Sequence, residues 1–177
     1  KKVLKFIKYK EEEICRINDE INIMNQIDHP NILKMDEYFP FKEYICLVTP
    51  FIPFESLHSL LITKYYLGIP ENMAKIMMRQ LLEAVNYLHK RNIWHRDIKT
   101  ENILIQNSDP LNPKILLADF GLAKRFTEGQ KSNEFSGTID YSAPEILKHI
   151  DYTEKVDIWS LGVTLFVMLT GLLPVPS

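Results

Sequence analysis

Hydrophobic and polar positions change period several times along this chain, and each change marks an element. VLKFIKY near the start alternates, placing Val3, Lys5 and Ile7 on one face and Leu4, Phe6 and Lys8 on the other, the pattern of a half-buried strand. From Glu11 to Ile27 the apolar residues Ile14, Ile17, Ile21, Met24 and Ile27 recur three or four apart, which predicts a helix ended by HPN at 29–31. Two short strands are expected next, at Ile32 to Tyr38 and Tyr44 to Val48, with a turn near Pro40. TPFIPFE, punctuated by Pro50 and Pro53, reads as a linker.

Pro70 and Glu71 then open a long amphipathic helix whose apolar face is Met73, Met77, Leu81, Ala84, Val85 and Leu88. NILI and KILLA are short apolar runs separated by the turn-rich QNSDPLNP, and they predict a hairpin. Residues 121–142 carry no sustained period, and a loop of that length in a compact domain is more often functional than accidental. The run from Ile158 to Ser177 lacks charges and is long enough to cross a bilayer. Asp157 at its start and Pro174 and Pro176 in its last turns predict instead a buried helix tethered at its N-terminus.

Composition narrows the setting. With 177 residues, 46% of them hydrophobic, and a formal net charge of −2, the chain can bury one sizeable core or two small ones. That balance suggests neither a nucleic-acid nor an anionic-membrane partner. Cys15 and Cys46 are the only cysteines, so a reduced intracellular setting, cytoplasmic or nuclear, without a disulfide is expected. The histidines at 29, 58, 89, 95 and 149 pair with no other His or Cys at zinc-ligand spacing. A chain that starts at Lys1 without Met and ends in LLPVPS is expected to be a fragment interrupted in mid-fold. KKVLKFIKYK has no continuous apolar core of the kind a signal peptide needs.

Chemistry concentrates in WHRDIKTENILI at 94–105, which gathers His95, Arg96, Asp97, Lys99, Glu101 and Asn102 before turning apolar. Such a cluster is ordinarily a solvated turn. This one follows a long helix and precedes a hairpin, in a chain whose first part is strand-and-helix and whose second part is helical. A cleft between two such lobes is where ligands bind.

The order HRDIKTEN, ADFG at 118–121 and SAPE at 142–145, joined by VLK at 3–5, a helical glutamate, GTIDY at 137–141 and DIWSLG at 157–162, resembles the eukaryotic protein kinases. The resemblance covers essentially the whole chain. Lys99 resembles the serine/threonine branch, in a calcium/calmodulin-dependent-kinase-like or related group. It implies an α+β bilobal fold in one incomplete domain: a partial β-rich small lobe at 1–48, a hinge at 49–57, and a mainly helical large lobe at 58–177 ending after the helix that contains Asp157. The implied reaction is ATP-dependent phosphorylation of serine or threonine hydroxyls on a protein substrate, with Mg²⁺.

Phosphoryl transfer needs a positioned hydroxyl, neutralised phosphate charge and hard oxygen ligands for magnesium. By resemblance, Asp97 accepts the substrate hydroxyl proton, Lys99 balances charge on the transferred phosphate, and Asn102 and Asp119 hold the metal. Lys5 contacts the α- and β-phosphates and Glu20 fixes it, with Lys2 and Lys8 as competing lysines. Thr49 takes the gatekeeper position, Pro50 offers its carbonyl and Ile52 its N–H to adenine, and Val3 and Leu104 sandwich the purine. Phe51 and Phe54 are expected to be ordinary core, and His95 a packed structural histidine.

Between DFG and APE, Glu134 falls where many relatives carry a phosphorylated residue, so its carboxylate is expected to pair with Arg96 without phosphorylation. Thr138 and Tyr141 lie where the family docks its substrate, and Asp157 resembles the aspartate that tethers the catalytic loop. Glu145 resembles a glutamate whose arginine partner lies further along, and Ser56 falls where some relatives carry a ribose-binding acid. Glu55 and Glu101 either attract basic residues of a substrate or are solvated. No glycine-rich phosphate loop precedes VLK. Two other readings stay open: a nucleotide-binding or scaffolding module without transfer, and a catalytically incompetent fragment. The chemically intact set of catalytic positions favours the enzyme.

Overall fold

The computed structural model describes residues 1–9, 14–53 and 55–174. Strands β1 (Lys2–Lys8), β2 (Glu37–Phe41) and β3 (Tyr44–Pro50) form an antiparallel sheet in the order β1-β3-β2. The central strand buries Cys46, Leu47 and Val48 in succession, so both of its faces are covered. Val3 stands opposite Thr49 and Lys5 opposite Leu47, so these four side chains share one face of the sheet.

Three expectations fail in this sheet. The strand expected from Ile32 to Tyr38 forms instead from Glu37 to Phe41, and Pro40 lies inside it opposite Ile45 rather than in a turn. An edge strand tolerates proline because the missing N–H has no ladder partner to lose. The turn comes later, where Lys42 takes a φ of 53°. Residues 31–33 are drawn to a different partner: the Leu33 N–H donates to the Leu117 carbonyl and the Leu117 N–H to the Asn31 carbonyl, both at 2.8 Å. Strand β3 also continues past Val48 to Pro50, because Lys2 pairs with Pro50 and the Phe51 N–H reaches the Lys1 carbonyl at 3.2 Å. The first residues of the expected hinge are therefore strand.

Helix α1 (Ile14–Gln26) buries Ile17, Ile21 and Met24 as its period requires, together with Glu20 and Ile23. The expected start at Glu11 lies outside the described residues, as do Phe54 and Pro176. Helix α2 (Leu57–Lys64) is too short to announce itself by period. Its signal is Ser56, the N-cap, whose Oγ accepts the Ser59 N–H at 3.2 Å. The expected hinge thus ends before Leu57, and Ser56 is engaged in capping. Helix α3 (Glu71–His89) buries all six apolar residues read from its pattern.

After α3 come β4 (Ile93–Trp94), a 3₁₀ turn at Thr100–Asn102, and the hairpin of β5 (Ile103–Asn107) and β6 (Lys114–Leu117). The unpatterned stretch contributes β7 (Lys124–Arg125), which pairs with β4, and a second 3₁₀ turn at Ile139–Tyr141. Helices α4 (Pro144–Leu147) and α5 (Lys155–Thr170) follow. Helix α5 starts early enough to place Asp157 in its first turn. It stops at Gly171, not at the prolines: φ is +73° there, and an added Cβ would lie 2.2 Å from the Tyr66 carbonyl oxygen. Among the described residues no helix is long and apolar enough to cross a membrane.

One core runs from Ile21 and Met24 of α1 through Leu47, Leu81 and Phe120 to Leu161 and Met168 of α5. A second, of Trp94, Phe126, Ala143, Ile146, Tyr152 and Val156, lies beneath the segment 121–142. The site described next sits between the sheet, α1 and the β4–β6 region.

Candidate active site

Asp157 is fully buried and acts as the platform for the loop after β4. Its Oδ2 accepts the His95 N–H at 2.9 Å, its Oδ1 accepts the Arg96 N–H at 2.8 Å, and His89 Nε2 lies 2.7 Å from Oδ2. These bonds hold Arg96 at a φ of +65°, a left-handed conformation that costs an L-residue about 1–2 kcal/mol. His95 is also fully buried; its Nδ1 accepts the Asp97 N–H at 3.3 Å and its Nε2 lies 3.2 Å from the Ala118 carbonyl. Burial pushes its pKa down, and the neutral tautomer protonated at Nε2 satisfies both contacts. Its work is to hold the loop against Ala118.

The twist at Arg96 delivers Asp97 with both oxygens engaged. Oδ1 accepts the Thr138 hydroxyl at 2.7 Å; Oδ2 accepts Asn102 Nδ2 at 2.9 Å and lies 3.0 Å from Lys99 Nζ. Lys99 also donates to Thr138 Oγ1 at 2.7 Å. Gly137 lets the threonine come this close: at a φ of +109° an added Cβ would lie 2.6 Å from the Arg96 carbonyl oxygen.

A second charged cluster faces the first. Lys5 Nζ donates to Glu20 Oε1 at 3.0 Å and to Asp119 Oδ1 at 2.8 Å. Burial works to lower the Lys5 pKa, but the Glu20 charge and the Asp119 hydrogen bond outweigh it and hold it raised. Burial likewise works to raise the Asp119 pKa, and the Lys5 hydrogen bond and charge reverse that. Glu20 is the buried member of this cluster, while Lys5 and Asp119 are each about half exposed to the cleft. Asp119 too is left-handed, at a φ of +59°. The competing lysines pair elsewhere, Lys2 with Asp36 and Lys8 with Glu43, although Lys8 also borders the cavity that Lys5 enters.

Two adjoining cavities meet at this cluster. One, of about 300 Å³, sets the charged side chains of Lys5, Arg16, Glu20, Asp97 and Asp119 among the apolar Ile7, Ile17 and Leu122. The other, of about 380 Å³, is lined by Val3, Thr49, Pro50, Ile52 and Leu104 and shares Lys5, Glu20 and Asp119 with the first. Met24, Leu33, Leu47 and Phe120 also line it, and the sequence reading missed them. Phe51, expected in the core, is 45% exposed at the cavity rim. Nothing in the sequence marks Leu33, which arrives by pairing with Leu117.

The donor set suits a hard divalent cation. Asn102 uses its Nδ2 on the Asp97 carbonyl and Oδ2, both at 2.9 Å, which orients the amide so that its oxygen is the available end. Asp119 engages Lys5 and the Gly121 N–H through Oδ1. Among the described residues, the second Asp119 oxygen and the Asn102 Oδ1 have no hydrogen-bond partner. One amide and one carboxylate oxygen match magnesium, which takes few protein ligands and completes its shell with water and phosphate oxygens. No group of three or more His, Cys, Asp or Glu side chains that could hold a metal occurs among the described residues.

The segment 121–142 is ordered by a third cluster. Arg96 Nη1 lies 2.9 Å from Glu134 Oε2, and Lys124 Nζ lies 3.4 Å from the same oxygen. Arg96 also donates to the Leu122 carbonyl at 2.9 Å and to the Tyr152 hydroxyl at 3.3 Å, and that hydroxyl donates to the Glu134 carbonyl at 2.7 Å. Ser132 and Tyr152 exchange backbone hydrogen bonds. Below them Trp94 and Phe126 stack with centroids 3.7 Å apart. Lys124 and Tyr152 were not read from the sequence, because only the folded segment brings them to Glu134.

The Arg96 hydrogen bond holds the Glu134 carboxyl below its ordinary 4.5. Folding the segment therefore releases a proton from Glu134, so the pair contributes fully above the ordinary value and is lost as pH falls through the lower folded one. A phosphate would lose its second charge near pH 6 or so. Resistance of residues 121–142 to limited proteolysis is expected to stay level from about pH 8 to about pH 5 and to fall only below that. A midpoint near neutrality would assign the ordering to another group.

The protein kinase domain family matches residues 1–177. Among curated proteins, a probable myosin light chain kinase of Dictyostelium discoideum is 37% identical over 164 residues, which is 93% of this chain and 41% of the relative. Sperm motility kinase 3A of Mus musculus is 36% identical over 172 residues, 97% of this chain and 33% of its own length. A probable serine/threonine-protein kinase, KIN1 homolog, of Enterocytozoon bieneusi is 38% identical over 160 residues, covering 90% of this chain and 26% of the relative. The chain spans less than half the length of each of these three.

Proposed function

The chain belongs to the protein kinase family, and from that premise we propose that it supplies the catalytic site of an enzyme that phosphorylates serine or threonine hydroxyls of proteins at the expense of Mg-ATP. The observation that carries this is the convergence of Lys5, Glu20, Asp119 and Asp97 on one cavity, which opens into an apolar cavity of a size for a purine.

Val3 and Leu104 enclose the purine from its two faces, Thr49 guards the back of the pocket, and the Pro50 carbonyl and Ile52 N–H meet its edge. Proline at 50 is tolerated because only its carbonyl is needed there. Lys5, held by Glu20, binds the α- and β-phosphates. Mg-ATP supplies the phosphoryl group and the metal charge that offsets it; Asn102 and Asp119 would hold the ion. Asp97 orients the substrate hydroxyl and accepts its proton, and Lys99 neutralises charge on the group being transferred. Thr138 ties Asp97 and Lys99 to the segment on which the protein substrate docks. The Ser/Thr acceptor class is supported by Lys99 and by a relative named as a serine/threonine-protein kinase.

Glu134 takes the place of a phosphorylated residue in this proposal, so the segment is competent without modification. Glu134→Ala is expected to lower transfer about 3- to 10-fold, the loss of one charge-assisted bond to an exposed carboxylate. Phosphatase treatment is expected to leave the unsubstituted protein active. The reverse pattern, an active alanine variant and a phosphatase-sensitive parent, would move the switch to Thr127, Ser132 or Ser136.

Labelled phosphate transfer to a protein substrate by the full-length protein, measured beside Mg-ATP binding, tests the proposal. Tight binding with no transfer would replace it with the scaffolding reading. Product carrying phosphotyrosine would overturn the acceptor class.

A further inference from the structure

Arg16 and Glu20 lie one turn apart on α1, so the helical period puts both on one face. Arg16 Nε donates to the Gly121 carbonyl at 2.9 Å. The Gly121 N–H points to Asp119 Oδ1 at 3.3 Å, the oxygen that also receives Lys5 at 2.8 Å. Gly121 is packed against this cluster itself: an added Cβ would lie 3.3 Å from Asp119 Oδ1, 3.7 Å from Glu20 Oε2 and 3.8 Å from Lys5 Nζ. At the other end of α1, Gln26 Oε1 accepts Arg125 Nη2 of β7 at 2.8 Å. Both ends of the helix thus reach the stretch 119–125, and Glu20 meets Lys5 between them.

We propose that Arg16, seconded by Gln26, is a positioning residue that moors the helix carrying Glu20 to the turn carrying Asp119, so that both carboxylates meet Lys5 at once. Its role in catalysis rests on the function proposed above; the mooring itself does not. A guanidinium bonded to a backbone carbonyl fixes the turn without competing with Lys5 for either carboxylate. The turn needs such a tie, because Asp119 is held in a left-handed conformation that the chain would otherwise relax.

The test uses the full-length protein with Arg16→Ala, Arg16→Lys and Gln26→Ala. Without nucleotide, Arg16→Ala is expected to speed amide exchange about threefold both in Ile14–Gln26 and at residues 119–122, the loss of one solvent-exposed charged hydrogen bond. Its kcat/KM for Mg-ATP is expected to fall by a similar factor with Tm lower by no more than about 3 °C, with Arg16→Lys recovering part of it because lysine can still donate to a carbonyl. Gln26→Ala is expected to act in the same direction and less. Faster exchange confined to α1, with transfer unaffected, would overturn the proposal. Coupled exchange across both segments in a protein that transfers no phosphate would uphold the mooring and remove the kinase reading instead.

Discussion

Asp97→Asn is expected to slow phosphoryl transfer by about 10²- to 10⁴-fold, the range for loss of a positioned general base, with Mg-ATP binding nearly unchanged. Every group that touches the Asp97 carboxylate is a donor: the Thr138 hydroxyl, Asn102 Nδ2 and Lys99 Nζ. A carboxamide of the same shape must turn its own N–H₂ toward one of them, losing that bond and setting donor against donor. It also has no affinity for the substrate proton. The proposed purine and phosphate contacts lie on β1, β3 and β5 and at Ile52 just past β3, so nucleotide binding should survive. Single-turnover transfer beside equilibrium binding separates the two effects, and transfer that persists at the parent rate would remove Asp97 from the mechanism.

The largest expected effect on stability belongs to a residue that touches no substrate. Asp157→Ala is expected to cost about 3–5 kcal/mol, because it strands the buried His95 and Arg96 N–H groups at about 1–3 kcal/mol each and leaves the left-handed turn at Arg96 without its tether. In a domain of this size that corresponds to a melting temperature lower by roughly 10 °C or more. Transfer should fall with it even below the melting point, since Asp97 follows Arg96 directly and inherits its orientation. Asp157→Asn keeps one acceptor oxygen and should lose less. A thermal melt of Asp157→Ala within about 1 kcal/mol of the parent would show that the loop is held elsewhere.

The fold was legible where the code is local. Six apolar positions at helical spacing found α3, and QNSDPLNP between two apolar runs found the β5–β6 hairpin. The same holds for much of the candidate site, because HRDIKTEN and ADFG each fit within one loop and their spacing is itself the constraint. Local signals misled where a partner decides the outcome. Pro40 looks like a turn and is strand, since only the sheet order makes β2 an edge. Val48 looks like the end of β3, and the pairing of Lys2 with Pro50 carries the strand on.

By itself the sequence determined the long periodic elements, the family, and which side chains could carry chemistry, because period, capping and motif spacing are written within a turn or a loop. Tertiary structure decided the short elements and the contacts that no motif implies. Lys5 and Asp119 are 114 residues apart and touch at 2.8 Å. Arg16 bonds a backbone carbonyl, a partner that every residue possesses and that no sequence pattern can single out. A hydrogen bond of that kind, made by a solvent-exposed side chain, exists only once packing elsewhere has brought two distant stretches together.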